Sequence, residues 1–156
     1  MTAEIGHFAL TLALAIALVQ GTLPLAGAAR GRPEWMAVGS ACAQAQFLFV
    51  VCAFFSLMFA YATSDFSVAN VAENSHTLKP MLYKLSGVWG NHEGSLLLWV
   101  LILSLFGALV ATFGANLPPG LRARVLAVQG LIGVGFFAFI LFTSNPFLRL
   151  SPAPLE

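Results

Sequence analysis

Charged residues are scarce in this 156-residue chain, because Asp, Glu, Lys and Arg together make up only 8% of it. Soluble domains typically carry roughly 25% charged residues, which cover their surfaces. Here 59% of the residues are hydrophobic and the mean hydropathy is +0.88. The formal net charge is +1 and no basic stripe is present, so nucleic acid is excluded as a partner. We therefore expect an integral membrane protein surrounded by membrane lipid.

Cysteine and histidine are also few, with two and three residues respectively. Cys42 and Cys52 lie in one apolar run, about 15 Å apart along a helix axis, which is too far for a disulfide. The sequence has no C-x-x-C-H motif and no metal-ligand spacing of Cys and His. We conclude that the chain is not itself a c-type cytochrome, and we predict no metal site.

Four apolar runs are long enough to cross a bilayer, which takes about 20 helical residues. They predict an all-α integral membrane fold with transmembrane helices at about 5–25, 38–62, 95–114 and 125–143. Barrel strands are excluded because they would alternate in polarity and be about half as long. The first run has no Lys or Arg before Arg30, so we expect a retained helix and not a signal peptide.

The distribution of arginine predicts the orientation of these helices. Arg30 and Arg32 lie in one short connection, and Arg122 and Arg124 lie in the other. Short loops rich in Lys and Arg stay in the cytoplasm. We therefore expect both termini and the external loop 63–94 on the opposite side, which is the periplasm for a bacterial inner membrane.

The external loop divides into two parts. Residues 65–77 are polar and predict an exposed loop. After them, apolar residues recur at helical spacing and predict a short amphipathic helix that begins near Pro80. That helix either lies in the membrane interface or packs on protein. The apolar residues are Leu78, Met81, Leu82, Leu85 and Trp89.

The segment Val88–Trp99, V-W-G-N-H-E-G-S-L-L-L-W, concentrates the residues most suited to chemistry. Aromatic faces and an imidazole at a membrane surface suit a haem or a quinone, and a His–Glu pair can relay protons. If the backbone is helical throughout, the two tryptophans and the histidine share one stripe. The alternative is a helix N-terminus stabilised by an acidic residue and ringed by a tryptophan belt. The candidate cofactor-binding residues are Trp89, His92, Glu93 and Trp99.

The run Tyr83–Leu103, Y-K-L-S-G-V-W-G-N-H-E-G-S-L-L-L-W-V-L-I-L, resembles the N-terminal part of the CcmF family of cytochrome c maturation haem lyase components. The nitrite-reductase-linked paralogue NrfE shares the pattern. Glu4–Gly6, Asp65–Ala69 and Leu141–Phe147 also resemble the family. The resemblance implies an inner-membrane protein that handles haem. It also implies as partners the haem chaperone CcmE, the proteins CcmH and CcmI, and the apocytochrome c that receives haem.

The chain departs from the family in one respect that bears on function. The family's tryptophan-rich haem motif has no counterpart here, and the three histidines do not match its haem ligands. The sequence ends at Glu156, where family members continue. We therefore expect residues 1–156 to be an N-terminal transmembrane module, inactive alone, whether it is a truncated product, a fragment or one piece of a split protein. The remainder of the family protein is then a partner.

The alternative function is that of a fragment of a proton- or ion-translocating membrane subunit. In that reading, His92 and Glu93 form a proton relay. Such a subunit would be expected to carry charged residues inside its helices. The predicted second, third and fourth helices carry none in their cores, which favours the haem lyase component.

Overall fold

The computed structural model describes residues 1–154, and within them it forms six α-helices. A single 3-10 turn, Gly114–Asn116, follows the fifth. Four of the helices are long and apolar enough to cross a membrane, which confirms the all-α membrane fold. The predicted external C-terminus at Glu156 lies outside the described residues. The helices are α1 (Thr2–Arg30), α2 (Pro33–Ala62), α3 (Ala69–Asn74), α4 (Met81–Gly87), α5 (His92–Phe113) and α6 (Pro119–Phe142).

The observed limits of the spanning helices differ from the predicted ones. The predicted limits followed the apolar runs, whereas the observed helices begin and end at residues that favour helix termini. Helix α1 continues five residues past the predicted limit to Arg30 and stops at Gly31, which has a left-handed φ of 65°. Glycine is favoured there because it has no Cβ to clash. Helices α2 and α6 both begin at a proline, Pro33 and Pro119, whose missing N–H costs nothing in a first turn.

The four spanning helices form one bundle. Helices α1 and α2 make a tight antiparallel hairpin, α6 packs on α1, and α5 packs on α2 and α6. Helices α1 and α6 approach closely at two glycines. A Cβ built on Gly130 would lie only 2.9 Å from the Gly21 nitrogen. Small residues permit such approach in membranes. The buried core includes Leu10, Leu57, Leu97 and Phe137.

Residues 65–77 are not the exposed loop that their polarity predicted. They include α3, where Asn70 and Val71 are buried. The prediction was wrong because Asn70 satisfies its polar groups inside the protein, where its side-chain oxygen accepts a hydrogen bond from the Tyr61 hydroxyl at 2.7 Å. A polar residue is buried without penalty when it is bonded in this way.

The predicted amphipathic helix is confirmed as α4, with Pro80 at its N-cap. Its polar side faces the bundle, since Lys84 is only 8% exposed and its Nζ donates to the Ser64 hydroxyl at 2.6 Å. Met81 and Leu82 on the other side are 54% and 73% exposed. Met81 and Leu82 are therefore not packed on the described protein, as in an interfacial helix, whereas Leu85 is partly buried against it.

The segment after α6 ties together the end of the bundle at which α1 begins, which we call the outer end. Both nitrogens of one edge of Arg149, Nε and Nη2, donate to the Glu4 carboxylate at 2.8 and 2.9 Å. Nη1 donates to Asp65 at 3.3 Å. The hydrogen bonds to Glu4 raise the pKa of Arg149, so the guanidinium stays charged. Phe147 is buried over Gly6, where any Cβ would overlap its ring. Residues 145–149 thus tie the start of α1 to the loop that follows α2.

Candidate functional site

Asn91 determines how residues 63–91, which we call the external segment after their predicted position, enter α5. Its backbone is extended, with φ −126° and ψ 170°, and its side-chain oxygen accepts a hydrogen bond from the Gly94 N–H at 2.8 Å. This is an N-cap, which satisfies one of the free donors at a helix start. Because α5 begins at His92, Trp89 precedes the helix. The predicted single stripe is therefore wrong for Trp89 and holds only for His92 and Trp99.

Gly94 is required by the same turn. A Cβ at this position would overlap the carbonyl oxygen of Val88, which folds back against the first turn of α5. No other residue can occupy the position without moving the backbone. The second glycine of the W-G-N-H-E-G-S run therefore has a structural cause.

Three side chains at this turn form a closed ring of hydrogen bonds, which we call the outer ring: Tyr61, Asn70 and Asn91. The Tyr61 hydroxyl donates to Asn70 Oδ1 at 2.7 Å, and Asn70 Nδ2 donates to Asn91 Oδ1 at 2.8 Å. Asn91 Nδ2 then donates to the Tyr61 hydroxyl oxygen at 3.0 Å. Each group both donates and accepts, an arrangement in which bonds reinforce one another. The outer ring joins α2, α3 and the start of α5.

The four predicted site residues have different neighbours. Trp89 stacks on Phe54 of α2, with 6.4 Å between ring centroids and 16° between planes. His92 meets the edge of Phe139 of α6 at 6.4 Å and 82°. Glu93 accepts a hydrogen bond from Asn70 Nδ2 at 3.2 Å. Trp99 is 64% exposed on α5. The structure does not bring the four together around one cavity.

Trp99 borders an apolar groove between α5 and α6. One hollow of about 330 Å³ and a second of about 340 Å³ both include Phe136 in their walls, and together we call them the α5/α6 groove. Phe139, the ring that His92 contacts, lines the second hollow. The walls are Leu96, Trp99, Ile102, Leu103, Phe106, Ile132, Gly135, Phe136 and Phe139.

Glu93 faces a separate, polar cavity of about 340 Å³ at the outer end of the bundle. Its walls also include Asn70, Glu73, Ser144 and Asn145. His92 and Glu93 therefore turn to different surroundings, one aromatic and one polar. This separation does not support a proton relay that passes directly between them.

The positions of the three histidines bear on whether the candidate residues fit haem. Haem iron commonly takes a histidine ligand, but the histidines have separate neighbours. His92 lies on Phe139, and His7 Nδ1 is 3.2 Å from the Asn145 amide nitrogen. His76 Nδ1 accepts from the Leu78 N–H at 3.2 Å. Across residues 1–154, no group of three or more His, Cys, Asp or Glu could hold a metal ion. The four predicted residues do not build a haem cradle by themselves, and a haem contact by any one of them stays a prediction.

Sequence reasoning missed the residues with the most connections. The sequence did not predict roles for Asn70 and Tyr61. It also did not predict the cap at Asn91, although an asparagine directly before a helix is a recognisable cap signal. It also missed three glutamines within the apolar runs, Gln20, Gln46 and Gln129, which hydrogen-bond inside the bundle. Uncharged amides in a membrane segment were the available signal.

Asn91→Ala is expected to lower the unfolding temperature of the protein. The substitution removes the α5 cap, worth about 1 kcal/mol, and leaves buried partners unbonded at about 1–3 kcal/mol. Thermal unfolding of the chain in detergent micelles measures the effect. Asn116→Ala, at an exposed asparagine, is the matched control and should leave the unfolding temperature unchanged. Equal unfolding temperatures for the two variants would contradict the role given to the outer ring.

The chain is similar in sequence to several known proteins. No family model matches. The chain is 64% identical over 156 residues to the cytochrome c-type biogenesis protein ccl1 of Rhodobacter capsulatus. It is 53% identical over 152 residues to CcmF of Pseudomonas aeruginosa and 48% identical over 157 residues to CcmF of Escherichia coli. These alignments include 97–100% of this chain but only 23–24% of each relative.

A solved structure shows the same relation. The cytochrome c haem lyase CcmF matches with a TM-score of 0.89 and 33% identity, over 94% of this chain and 25% of that one. The chain thus spans about a quarter of the relatives it matches. The similarity to membrane proteins agrees with the four helices that are long and apolar enough to cross a membrane. The chain is a multi-pass membrane protein that is homologous, along its whole length, to the N-terminal region of the CcmF family of cytochrome c-type biogenesis proteins.

Proposed function

We propose that residues 1–156 form the N-terminal membrane module of a haem lyase component and act with the remainder of such a protein to transfer haem to apocytochrome c. The observation that supports this most is the similarity over the whole chain to about a quarter of relatives whose names specify cytochrome c biogenesis and a haem lyase. In this proposal the module is a scaffold, and the haem ligands belong to the remainder. CcmE, CcmH, CcmI and apocytochrome c are then partners of the assembled protein.

The proposal also includes an orientation. The α1–α2 turn carries Arg30 and Arg32, whose guanidinium carbons lie 5.6 and 4.7 Å from the Trp35 ring centroid. The α5–α6 turn is at the same end of the bundle and is followed by Arg122 and Arg124. By the positive-inside rule this end faces the cytoplasm. The outer ring and the polar cavity then face the periplasm of a bacterial inner membrane.

The α5/α6 groove is the surface that we assign to the remainder of the protein. It is concave and aromatic, with Gly135 in one wall, and glycine lets another helix approach closely. Helix α5 also has the smallest buried share of the four spans, at 28% compared with 44% for α2. A spanning helix of the remainder would fill this hollow and cover α5.

A chimera tests the proposed function. The matching quarter of the Rhodobacter capsulatus relative is replaced by this chain, in a strain that lacks the native gene. We expect the chimera to restore covalent haem on c-type cytochromes, measured by haem staining of membrane proteins on gels. This chain alone and the remainder alone should each give no staining. Staining from the chain alone, or none from a chimera that accumulates normally, would overturn the proposal.

Substitutions in the groove test the assigned surface separately. This chain and the tagged remainder are produced as two polypeptides and purified together. The double variant Trp99→Ala, Phe106→Ala should strongly reduce co-purification, because buried aromatic anchors at an interface are worth about 2 kcal/mol or more each. Phe55→Ala, at an exposed phenylalanine of α2, is the control and should co-purify normally. Unchanged recovery of the double variant would show that the remainder binds elsewhere.

His92 is the residue of the original four that we propose to act in support of the haem site, through its position beside Phe139. In the chimera, His92→Ala should lower holocytochrome c formation while the amount of chimera in the membrane stays normal. His7→Ala, at another histidine of the same outer end, should keep both. Normal cytochrome formation with His92→Ala would reduce His92 to a packing residue.

A further inference from the structure

The polar cavity at the outer end of the bundle carries negative charge that no described residue balances. Glu73 of α3 and Glu93 at the start of α5 both line it, and glutamate is ordinarily ionised at neutral pH. The ion pairs formed within residues 1–154 involve only Glu4 and Asp65 as acids. Glu93 accepts one hydrogen bond, from the neutral amide of Asn70 at 3.2 Å. The cavity therefore has two carboxylates and no counter-charge of its own.

The cations of this end of the bundle are bound elsewhere. Residues 63–154 outside the spanning helices and the α5–α6 turn contain three of them, Lys79, Lys84 and Arg149. Arg149 is paired with the Glu4 carboxylate. Lys79 Nζ donates to a backbone carbonyl at 3.0 Å, and Lys84 Nζ donates to a hydroxyl at 2.6 Å. None of the three lines the cavity.

Ser144 gives a second and independent indication that a ligand binds in this cavity. It follows the end of α6 and is only 7% exposed. Its backbone N–H donates to the Phe139 carbonyl at 3.2 Å, but its side chain makes no hydrogen bond to any of residues 1–154. A buried hydroxyl is costly when it is left unbonded. Because Ser144 lines the polar cavity, a group bound there would supply the missing partner.

The lining of the cavity indicates what class of group would fit. Its volume of about 340 Å³ is at the lower end of the range for ligand pockets, roughly 300–1,000 Å³. Carboxylate oxygens only accept hydrogen bonds, and a hydroxyl can accept or donate one. A guanidinium presents five N–H donors and an ammonium three. Across residues 1–154, no group of three or more His, Cys, Asp or Glu could hold a metal ion. An organic cation is therefore the best match.

We propose that the polar cavity receives a lysine or arginine side chain from the remainder of the protein. The cation pairs with Glu73 and Glu93 and donates a hydrogen bond to the Ser144 hydroxyl. This inference rests on the proposed function, which supplies the remainder, and it assigns a contact separate from the α5/α6 groove. The groove offers apolar area, whereas paired charges fix the orientation in which two surfaces meet.

Carboxyl footprinting tests whether the cavity is occupied in the assembly. This chain is examined alone and in complex with the tagged remainder. A carbodiimide and glycine ethyl ester label the accessible carboxylates, and mass spectrometry locates the label. Glu73 and Glu93 should be labelled several-fold less in the complex, and an amide formed with a lysine of the remainder would also remove the label and identify the source. Glu34, exposed at the start of α2, is the control and should be labelled equally. Equal labelling of both cavity glutamates in the two samples would overturn the proposal.

Substitutions distinguish a charge pair from simple coverage of the cavity. The affinity for a fluorescent remainder is titrated in detergent at low and at high salt. The double variant Glu73→Gln, Glu93→Gln should bind about tenfold more weakly at low salt and lose most of the salt dependence of the unmodified chain. Ser144→Ala should also weaken binding, yet leave the unfolding temperature of the chain alone unchanged, because the hydroxyl has no bond to lose. Glu34→Gln is the matched control and should bind as the unmodified chain does.

The proposed function and the cation site fail in different ways. If the unmodified chain does not bind the remainder, the proposed function is overturned and the cation site with it. If the double variant binds with unchanged affinity and salt dependence, only the cation site is overturned. If the double variant does not accumulate, Ser144→Ala decides, and full affinity for the remainder would overturn the site.

Discussion

Polar groups inside a membrane have no bulk water to bind, so they must find partners in the protein. This constraint explains the arrangement of the bundle better than its apolar surface does. An apolar face can rotate against another with little penalty, whereas an amide must meet a particular atom. Gln129 contacts Gln20 on one side and Gln46 on the other. The three glutamines therefore specify the rotation and the height of α1, α2 and α6 together.

Burial within the protein imposes a similar constraint at the outer end of the bundle, where the external segment turns into α5. Asn91 caps the helix and at the same time bonds to Asn70 and Tyr61. Gly94 is present because the Val88 carbonyl occupies the space of a Cβ. The part of the sequence that is most recognisable is thus a structural joint. A motif can identify a family through the geometry that it builds, even when its most reactive residue, His92, is not the centre of that geometry.

The spanning helices could be predicted because each depends on a local property, the length of an apolar run. What could not be predicted depends on contacts between distant residues. Asn70 is bonded to residues 9 and 21 positions away, and Gln129 to residues 83 and 109 positions away. The polarity of α3 therefore suggested exposure, although its partners permit burial. Trp89 was misplaced for a different reason, because the helical stripe assumed a continuous backbone that the extended Asn91 interrupts. The family was predicted from residues that resemble it, not from physical reasoning about the site.

The outer ring, the three hydrogen-bonded glutamines and the α5/α6 groove divide the module into rigid and open parts. The Tyr61–Asn70–Asn91 ring joins the external segment to the start of α5, and the glutamines join the middle of the bundle to the α5 backbone at Leu103. Helix α5 is thus held on its inner side at two heights. The side of α5 that faces away from the bundle core carries Trp99 and Phe106, which line a hollow that no described residue fills. Because α5 is held by hydrogen bonds on the side that faces the bundle, its groove-lining side keeps its shape without a bound neighbour. In the assembly that we propose, a neighbouring helix would meet a groove that is already formed, and little ordering entropy would be lost when they associate.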